Sequence, residues 1–335
     1  MNKMQERINK ENLRIVFMGT PEFAVETLKA LVEGGYHVVA VVTQPDKPVG
    51  RHESVFRAPA VKEYAIEHGL PVLQPERMKD PEFLDQLRSY QADIQVVVAF
   101  RMLPEVVWDM PRLGTFNVHA SLLPKYRGAA PINWAIINGE TQTGVTTFFL
   151  DHHIDTGRII RQKEFYIPED ADVEYVYDGL MRLGSKIALE TIDAIIEGNG
   201  KIDTVEQNEI TGNGSGSSNN LPVAPKIFKE TCKIDWSQPV QRVYNFIRGL
   251  SPIPTAWSCL KKNNSQDVDV KIFKASKTGR TTECPAGTIE TCDGRLFVAT
   301  SDEWLEILEL QQAGKKKMDA TSFLNGYRGV EATFS

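Results

Sequence analysis

The chain has 335 residues, 41% hydrophobic and 24% charged, a composition that excludes disorder and collagen-like repeats and is able to bury a large core. Single cores stop growing near this length, so two domains are expected. The net charge of −6 hides an asymmetry: residues 1–221 carry 22 Lys and Arg against 31 Asp and Glu, a balance of −9, whereas residues 222–335 carry 16 against 13, or +3. The basic excess lies in residues 222–282, with 11 against 4, and an acidic body joined to a basic module points to a polyanionic partner or, more blandly, to a solvated lysine face.

The first 19 residues carry charges throughout and hold only a short apolar run, residues 13–18, far less than a signal peptide or membrane span needs. A cytoplasmic protein with no membrane partner is expected. Residues 13–18 read as a first strand, ending at Gly19-Thr20-Pro21, where Thr20 is expected to cap a helix bearing Ala24, Leu28, Leu31 and Val32 on one face. A strand over residues 37–43 leads into a long polar loop, QPDKPVGRHESVFRAP, and loops of that length are often functional. Helices over residues 60–68 and 81–89, a short strand over 71–73 and the buried strand DIQVVVAF (residues 93–100) follow. A strand over 115–119, a helix over 131–138, a strand over 144–150 and a long amphipathic helix through Val176, Leu180, Leu183 and Ile187 complete an alternation that signals a mostly parallel sheet covered by helices.

The pattern dissolves after Gly198, and TGNGSGSSNN (residues 211–220) is a linker by composition. The expected division is a catalytic domain over 12–205, a linker over 206–223 and a second domain over 224–332. There a helix over 240–247 precedes five short β-like runs, at 255–260, 268–275, 287–290, 296–300 and 305–310, which suit a small β-barrel of the oligonucleotide-binding kind.

Ligands in open parallel sheets bind beyond the carboxyl ends of the strands. Asn117 and His119 stand there at i, i+2, on one face of a strand, where an amide donor and an imidazole can converge on one atom or simply pair structurally. The proline-bearing loop SLLPKYRGAAP follows, in which Arg127 either binds an anion or braces the chain. Asp155, in Asp155-Thr156-Gly157, could orient His119 and stabilise its charged form, or only make a turn. His152 and His153 point to opposite sides of an extended chain, and no metal site is expected. GTPEF lacks the glycines of a pyrophosphate fingerprint, which disfavours hydride transfer. No G-x-S-x-G is present, and the four cysteines, Cys232, Cys259, Cys284 and Cys292, lack C-x-x-C spacing and read as reduced thiols.

Taken together, GTPEFA, TQPDKPVGR, VVVAF-RMLP, FNVHASLLPKYRGAAP and DTG resemble the folate-dependent formyltransferases. APKIFKETCKIDW, IRGLSPIPTAW and GKKKMDATSFLNG resemble the C-terminal domain of the branch that acts on methionyl-tRNA, so the likeness runs from about Leu13 to Arg328. The chain departs from the family pattern at Ala99-Phe100-Arg101, one residue shorter, at His153, where many relatives have glycine, and in its long polar linker. The resemblance implies 10-formyltetrahydrofolate as formyl donor, no metal, and initiator methionyl-tRNA as acceptor, with RNA rather than DNA as partner and a monomeric chain. It carries catalytic roles onto Asn117, His119 and Asp155. Folate contacts fall on Phe100, Arg101, Met102 and Leu103, on Ser121, Leu122, Leu123 and Pro124, and on Asp151 and Ile154. Arg51 matches the tRNA-contacting arginine of the acceptor-stem loop, and Lys226, Lys229 and Lys233 are the candidate tRNA contacts of the basic module. Glycinamide ribonucleotide formyltransferase and formyltetrahydrofolate hydrolase share the three catalytic residues but lack the appended barrel. An amino-sugar nucleotide formyltransferase and a non-catalytic RNA-binding protein are the remaining alternatives.

Overall fold

The computed structural model describes residues 7–49, 55–210, 221–262, 265–326 and 332–335. Arg51 and the linker stretch 211–220 lie outside these residues. The chain divides into two compact units, one formed by Met1–Arg127, Gly144–Phe165 and Tyr177–Pro222, the other by Gly128–Thr143, Tyr166–Val176 and Val223–Ser335.

In the first unit, seven strands lie side by side in the order Ile159–Tyr166, Gln142–Phe149, Thr115–His119, Ile94–Val98, Ile15–Gly19, Val38–Val42 and Val72–Leu73. From Val72–Leu73 to Thr115–His119 neighbouring strands pair parallel, and Gln142–Phe149 joins antiparallel. The chain starts at Ile15–Gly19, builds two strands to one side, then returns to build the other side from Ile94–Val98. The reversal opens a crevice at the carboxyl ends of those two strands, where such sheets bind ligands. Ile15–Gly19, Val38–Val42 and Ile94–Val98 are buried along their whole length, as continuous apolar runs covered on both faces must be. The helix Glu22–Glu33 buries Phe23, Ala24, Thr27, Leu28 and Leu31, the i, i+4 stripe of an amphipathic helix. Its N-cap is Pro21, without a side-chain cap; the Thr20 hydroxyl is buried without a partner instead of capping. The helix Pro81–Ser89 has the cap that Glu22–Glu33 lacks, because Asp80 accepts a hydrogen bond from the Glu82 amide.

In the second unit the strands Ile289–Cys292, Arg295–Ala299, Glu303–Gln312, Ser265–Thr281, Ala256–Lys262 and Ala332–Phe334 form a second sheet, with Met318–Asp319 paired to Glu303–Gln312. Among the described residues these strands pair antiparallel. A bridge between Thr288 and Thr333 brings its two ends together, so the sheet is nearly closed into a barrel. Its core gathers Trp236, Val243, Ile247, Leu260, Ile272 and Leu305, among others. The expected α/β architecture with a small appended barrel is the one observed. Ser265–Thr281 is longer than the run read from the sequence, because its continuation past Ala275 is polar and shifts register between Lys277 and Thr281, which leaves no alternation to read.

Phe116 has no exposed surface and lies one residue before Asn117 on the same strand. Phe116→Ala should lower the stability of this unit by about 3–5 kcal/mol, read as a fall in its urea midpoint. An unchanged midpoint would show that the ring does not support the strand.

Candidate active site

The strand Thr115–His119 carries both Asn117 and His119 toward its carboxyl end. Its neighbours place Val97 beside Asn117 on one side and Phe148 and Thr146 opposite Asn117 and His119 on the other. Asn117 is half-buried, and its amide makes no side-chain hydrogen bond among the described residues. His119 is 6% exposed. Its Nε2 lies 2.9 Å from the Tyr126 carbonyl oxygen, which can only accept, so Nε2 carries the hydrogen and donates it. The remaining nitrogen, Nδ1, faces Asp155, with Oδ2 at 3.9 Å. That separation is too long for a hydrogen bond but within ion-pair range. The structure thus brings all three residues singled out for chemistry into one place.

Asp155 reaches this position through a left-handed backbone, φ 54°, and Tyr126 does the same at φ 59°; such conformations cost a non-glycine residue about 1–2 kcal/mol and need external support. At Gly157 a Cβ would stand 1.7 Å from the Phe149 carbonyl oxygen, so only glycine lets the turn return this close to the sheet. Asp151 holds the same loop from within: its carboxylate accepts from the His153 amide at 2.9 Å and from the Thr156 hydroxyl at 2.7 Å. Ile154 is 58% exposed at its tip.

The other expected folate residues divide into two groups. Ser121, Leu123 and Pro124 are buried, and their loop is fastened internally. Ser121 donates to the Lys125 carbonyl, Thr146 Oγ1 donates to the Ser121 carbonyl and accepts from the Leu123 amide, and Gln162 donates to the Leu123 carbonyl. Leu122 is half-buried beside them. Beyond Ala99, itself left-handed at φ 47°, Arg101 turns its guanidinium onto the Pro75 and Glu76 carbonyls, clamping one loop to another. Burial pulls that guanidinium below its usual range. Phe100 packs against the core, Leu103 is buried in it, and Met102 is 75% exposed. A cavity of about 510 Å³ is lined by Arg77, Met78, Lys79, Met102, Leu103 and Pro104. No motif in the sequence points to Arg77 or Lys79.

Arg127 is tied to Gln207, with Nε at 3.0 Å and Nη2 at 2.5 Å from Oε1, so it braces the chain. Burial lowers its affinity for the proton, and the carboxylates of Asp155 and Asp151 oppose that. His152 packs edge-on against Trp108 and lies 3.8 Å from Glu105. Among the described residues no three His, Cys, Asp or Glu side chains gather as a metal site would require.

Lys47–Val49 pairs antiparallel with Val55–Arg57 in a short two-stranded ribbon. Its base is pinned by Asp46, whose carboxylate accepts from Lys62 at 2.7 and 2.8 Å and from Gln74 at 2.8 Å; these bonds, Gln74 first, hold its carboxyl below the usual carboxylate range. In the second unit Lys226, Lys229 and Lys233 are all exposed. Lys229 and Lys233 lie 6.0 and 5.9 Å from the Trp257 ring centroid, and Lys226 lies 5.4 Å from that of Phe228, which is 54% exposed. Lys229 and Lys233 thus share one aromatic ring, Trp257, that sequence spacing alone does not connect to them.

Residues 13–192 match the family described as formyl transferase, and residues 226–328 match its C-terminal domain. A methionyl-tRNA formyltransferase of Parabacteroides distasonis is 56% identical, covering 96% of this chain and 98% of that protein; one of Bacteroides fragilis is also 56% identical, over 97% and 98%. The chain belongs to the methionyl-tRNA formyltransferase family. Its fold is also that of a sugar 3N-formyl transferase crystallised in the presence of dTDP and 5-N-formyl-THF, with TM-score 0.61, 20% identity and coverage of 91% and 99%. HypX from Aquifex aeolicus in complex with tetrahydrofolic acid shares it too, with TM-score 0.61 and 18% identity, covering 95% of this chain and 48% of that one. The methionyl-tRNA formyltransferase family thus contains this chain over both of its units, and no helix among the described residues is long and apolar enough to cross a membrane.

Gly157→Ala should move the Asp155 turn, since its Cβ must displace a backbone oxygen now 1.7 Å away. A melting temperature several degrees below the parent's is expected, from a cost on the order of 1–3 kcal/mol; a variant melting with the parent would mean that the turn yields freely.

Proposed function

We propose that this protein transfers the formyl group of 10-formyltetrahydrofolate to the α-amino group of methionine esterified to initiator tRNA. The observation that carries the reading is the convergence of Asn117, His119 and Asp155 at the carboxyl end of one strand, His119 Nδ1 standing 3.9 Å from Asp155, in a chain that follows methionyl-tRNA formyltransferases over nearly its whole length.

The amine attacks the formyl carbon, forming a C–N bond and an oxyanion; the bond from that carbon to the folate nitrogen then breaks, and that nitrogen takes a proton. His119 Nδ1 is the atom that can receive the proton lost by the amine and return one to the leaving nitrogen, because Nε2 is committed to the Tyr126 carbonyl. Asp155 stabilises the charged ring between these steps. The Asn117 amide, not otherwise engaged, donates to the oxyanion. The cavity beside residues 100–103 offers an apolar wall with Met78, Met102, Leu103 and Pro104 and two cations, Arg77 and Lys79, which suits an aromatic donor ending in carboxylates such as a folate. Exposed Met102 and Ile154 fit the edge of the same donor. Lys226, Lys229 and Lys233 contact the tRNA backbone, with Phe228 and Trp257 beside them, and Arg51 belongs to the loop at the acceptor stem.

The direct test is transfer of labelled formyl from 10-formyltetrahydrofolate to charged initiator tRNA, and absence of formylmethionyl-tRNA would overturn the proposal. His119→Ala and Asp155→Asn should each lower kcat by at least about tenfold while tRNA affinity stays within about twofold. Near-parental turnover in either variant removes that residue from the mechanism. Asn117→Ala should reduce kcat by about 10²–10³, and a change confined to the folate KM would count against its role.

Changing Lys226, Lys229 and Lys233 together to Glu should weaken tRNA binding and flatten its dependence on salt, since each lost phosphate contact removes about one unit from the slope of log affinity against log salt. Parental affinity and slope would leave these lysines as a solvated face.

A further inference from the structure

We infer that Gln207 is a positioning residue for the His119–Asp155 pair, an inference that rests on the catalytic reading above. Gln207 lies outside both segments that match the formyltransferase family, 13–192 and 226–328, and opens a four-residue helix, Gln207–Ile210. It is 2% exposed, yet every hydrogen-bonding position of its carboxamide is used. Nε2 donates to the Asp155 and Gly157 carbonyls, both at 2.9 Å, and Oε1 accepts twice from Arg127.

These contacts fall on both sides of the imidazole. Asp155 faces His119 Nδ1, and Tyr126, which accepts from Nε2, is the residue before Arg127. Both peptides hold left-handed φ angles, so neither conformation is one its own residue favours. One side chain joins the turn that bears Asp155 to the residue that follows Tyr126. The chain beside it is stitched to the same turn: Val205 and Ile159 exchange backbone hydrogen bonds at 2.9 Å, and Arg158 bonds the Thr204 hydroxyl and carbonyl and the Glu206 carboxylate. A carboxamide whose only task is to accept from Arg127 would tolerate its acid, which keeps that acceptor and gains a charge partner in the guanidinium. One that holds carbonyls in place would not, because an acid offers no N–H to them.

Gln207→Glu separates these cases. It keeps the side chain's length and an acceptor for Arg127, and it removes both donors to the Asp155 turn. Two measurements are made on the full chain, with Gln207→Ala in parallel: steady-state kinetics, and the ring ¹⁵N shifts of His119 in histidine-labelled protein, assigned by their loss in His119→Ala. For Gln207→Glu a melting temperature a few degrees below the parent's is expected, because two buried carbonyls lose their donors, with the protein still folded at the assay temperature, kcat reduced at least about tenfold, both KM values within about threefold and the His119 ring signals displaced. Gln207→Ala, which also strands Arg127, should lose at least as much; if it fails to fold, Gln207→Glu decides alone. His119 signals that superimpose on the parent's overturn the inference whatever the kinetics, and so does a kcat within about twofold of the parent's. If the parent itself transfers no formyl group while the signals still move, the catalytic reading fails and the hold on His119 stands.

Discussion

A peptide carbonyl accepts hydrogen bonds and cannot give them, and that asymmetry at Tyr126 sets the chemistry of the site. With its oxygen 2.9 Å from His119 Nε2, the ring has one tautomer available when neutral, and its basic nitrogen is directed at Asp155. The surrounding loops serve this arrangement. The chain leaves the strand at His119 and comes back through Tyr126 seven residues later, while the turn at Asp155 approaches from the far side. Neither approach is relaxed, since both residues have positive φ, and neighbouring side chains hold both in place. Asp151 organises its own loop, and Gln207 spans the two.

The sheet explains why the site is here and not elsewhere. Reversal of the strand order between Ile15–Gly19 and Ile94–Val98 leaves a crevice, and the antiparallel strand Gln142–Phe149 closes its flank. The register of that strand puts Thr146 opposite His119, where its hydroxyl ties the Ser121 carbonyl and the Leu123 amide. The residues that touch the catalytic strand thereby also fix the wall beside it. The basic barrel is a separate construction with its own core, and its exposed lysines lie near one exposed ring, Phe228, and one half-buried ring, Trp257.

Much of this is legible in the sequence because it is local. Alternation of apolar runs with helical stripes gives the first unit, and the Thr115–His119 strand and the Pro81–Ser89 helix have the bounds that spacing implies. The i, i+2 placement of Asn117 and His119 is a property of a strand and needs no tertiary knowledge. Other features are invisible for physical reasons. Gln207 is 52 residues from Asp155 and 80 from Arg127, in a segment without periodicity, and no spacing rule links them. Ile159–Tyr166 escapes notice because it is a half-exposed strand carrying Arg161, Lys163 and Glu164, charges that edge strands favour and that blur alternation. Ser121 reads as a loop residue able to meet a ligand, but its hydroxyl is spent on the Lys125 carbonyl. Trp257 draws no attention until folding sets Lys229 and Lys233 beside it.

The two halves of the proton-handling pair differ in how they are anchored. The strand bearing His119 is hydrogen-bonded on both sides, so its amides should exchange with solvent only when the whole sheet opens. Asp155 sits in a turn fastened largely by side-chain bonds. On warming, that turn should loosen before the strand does, so the proposed pair would separate below the temperature at which the fold itself melts.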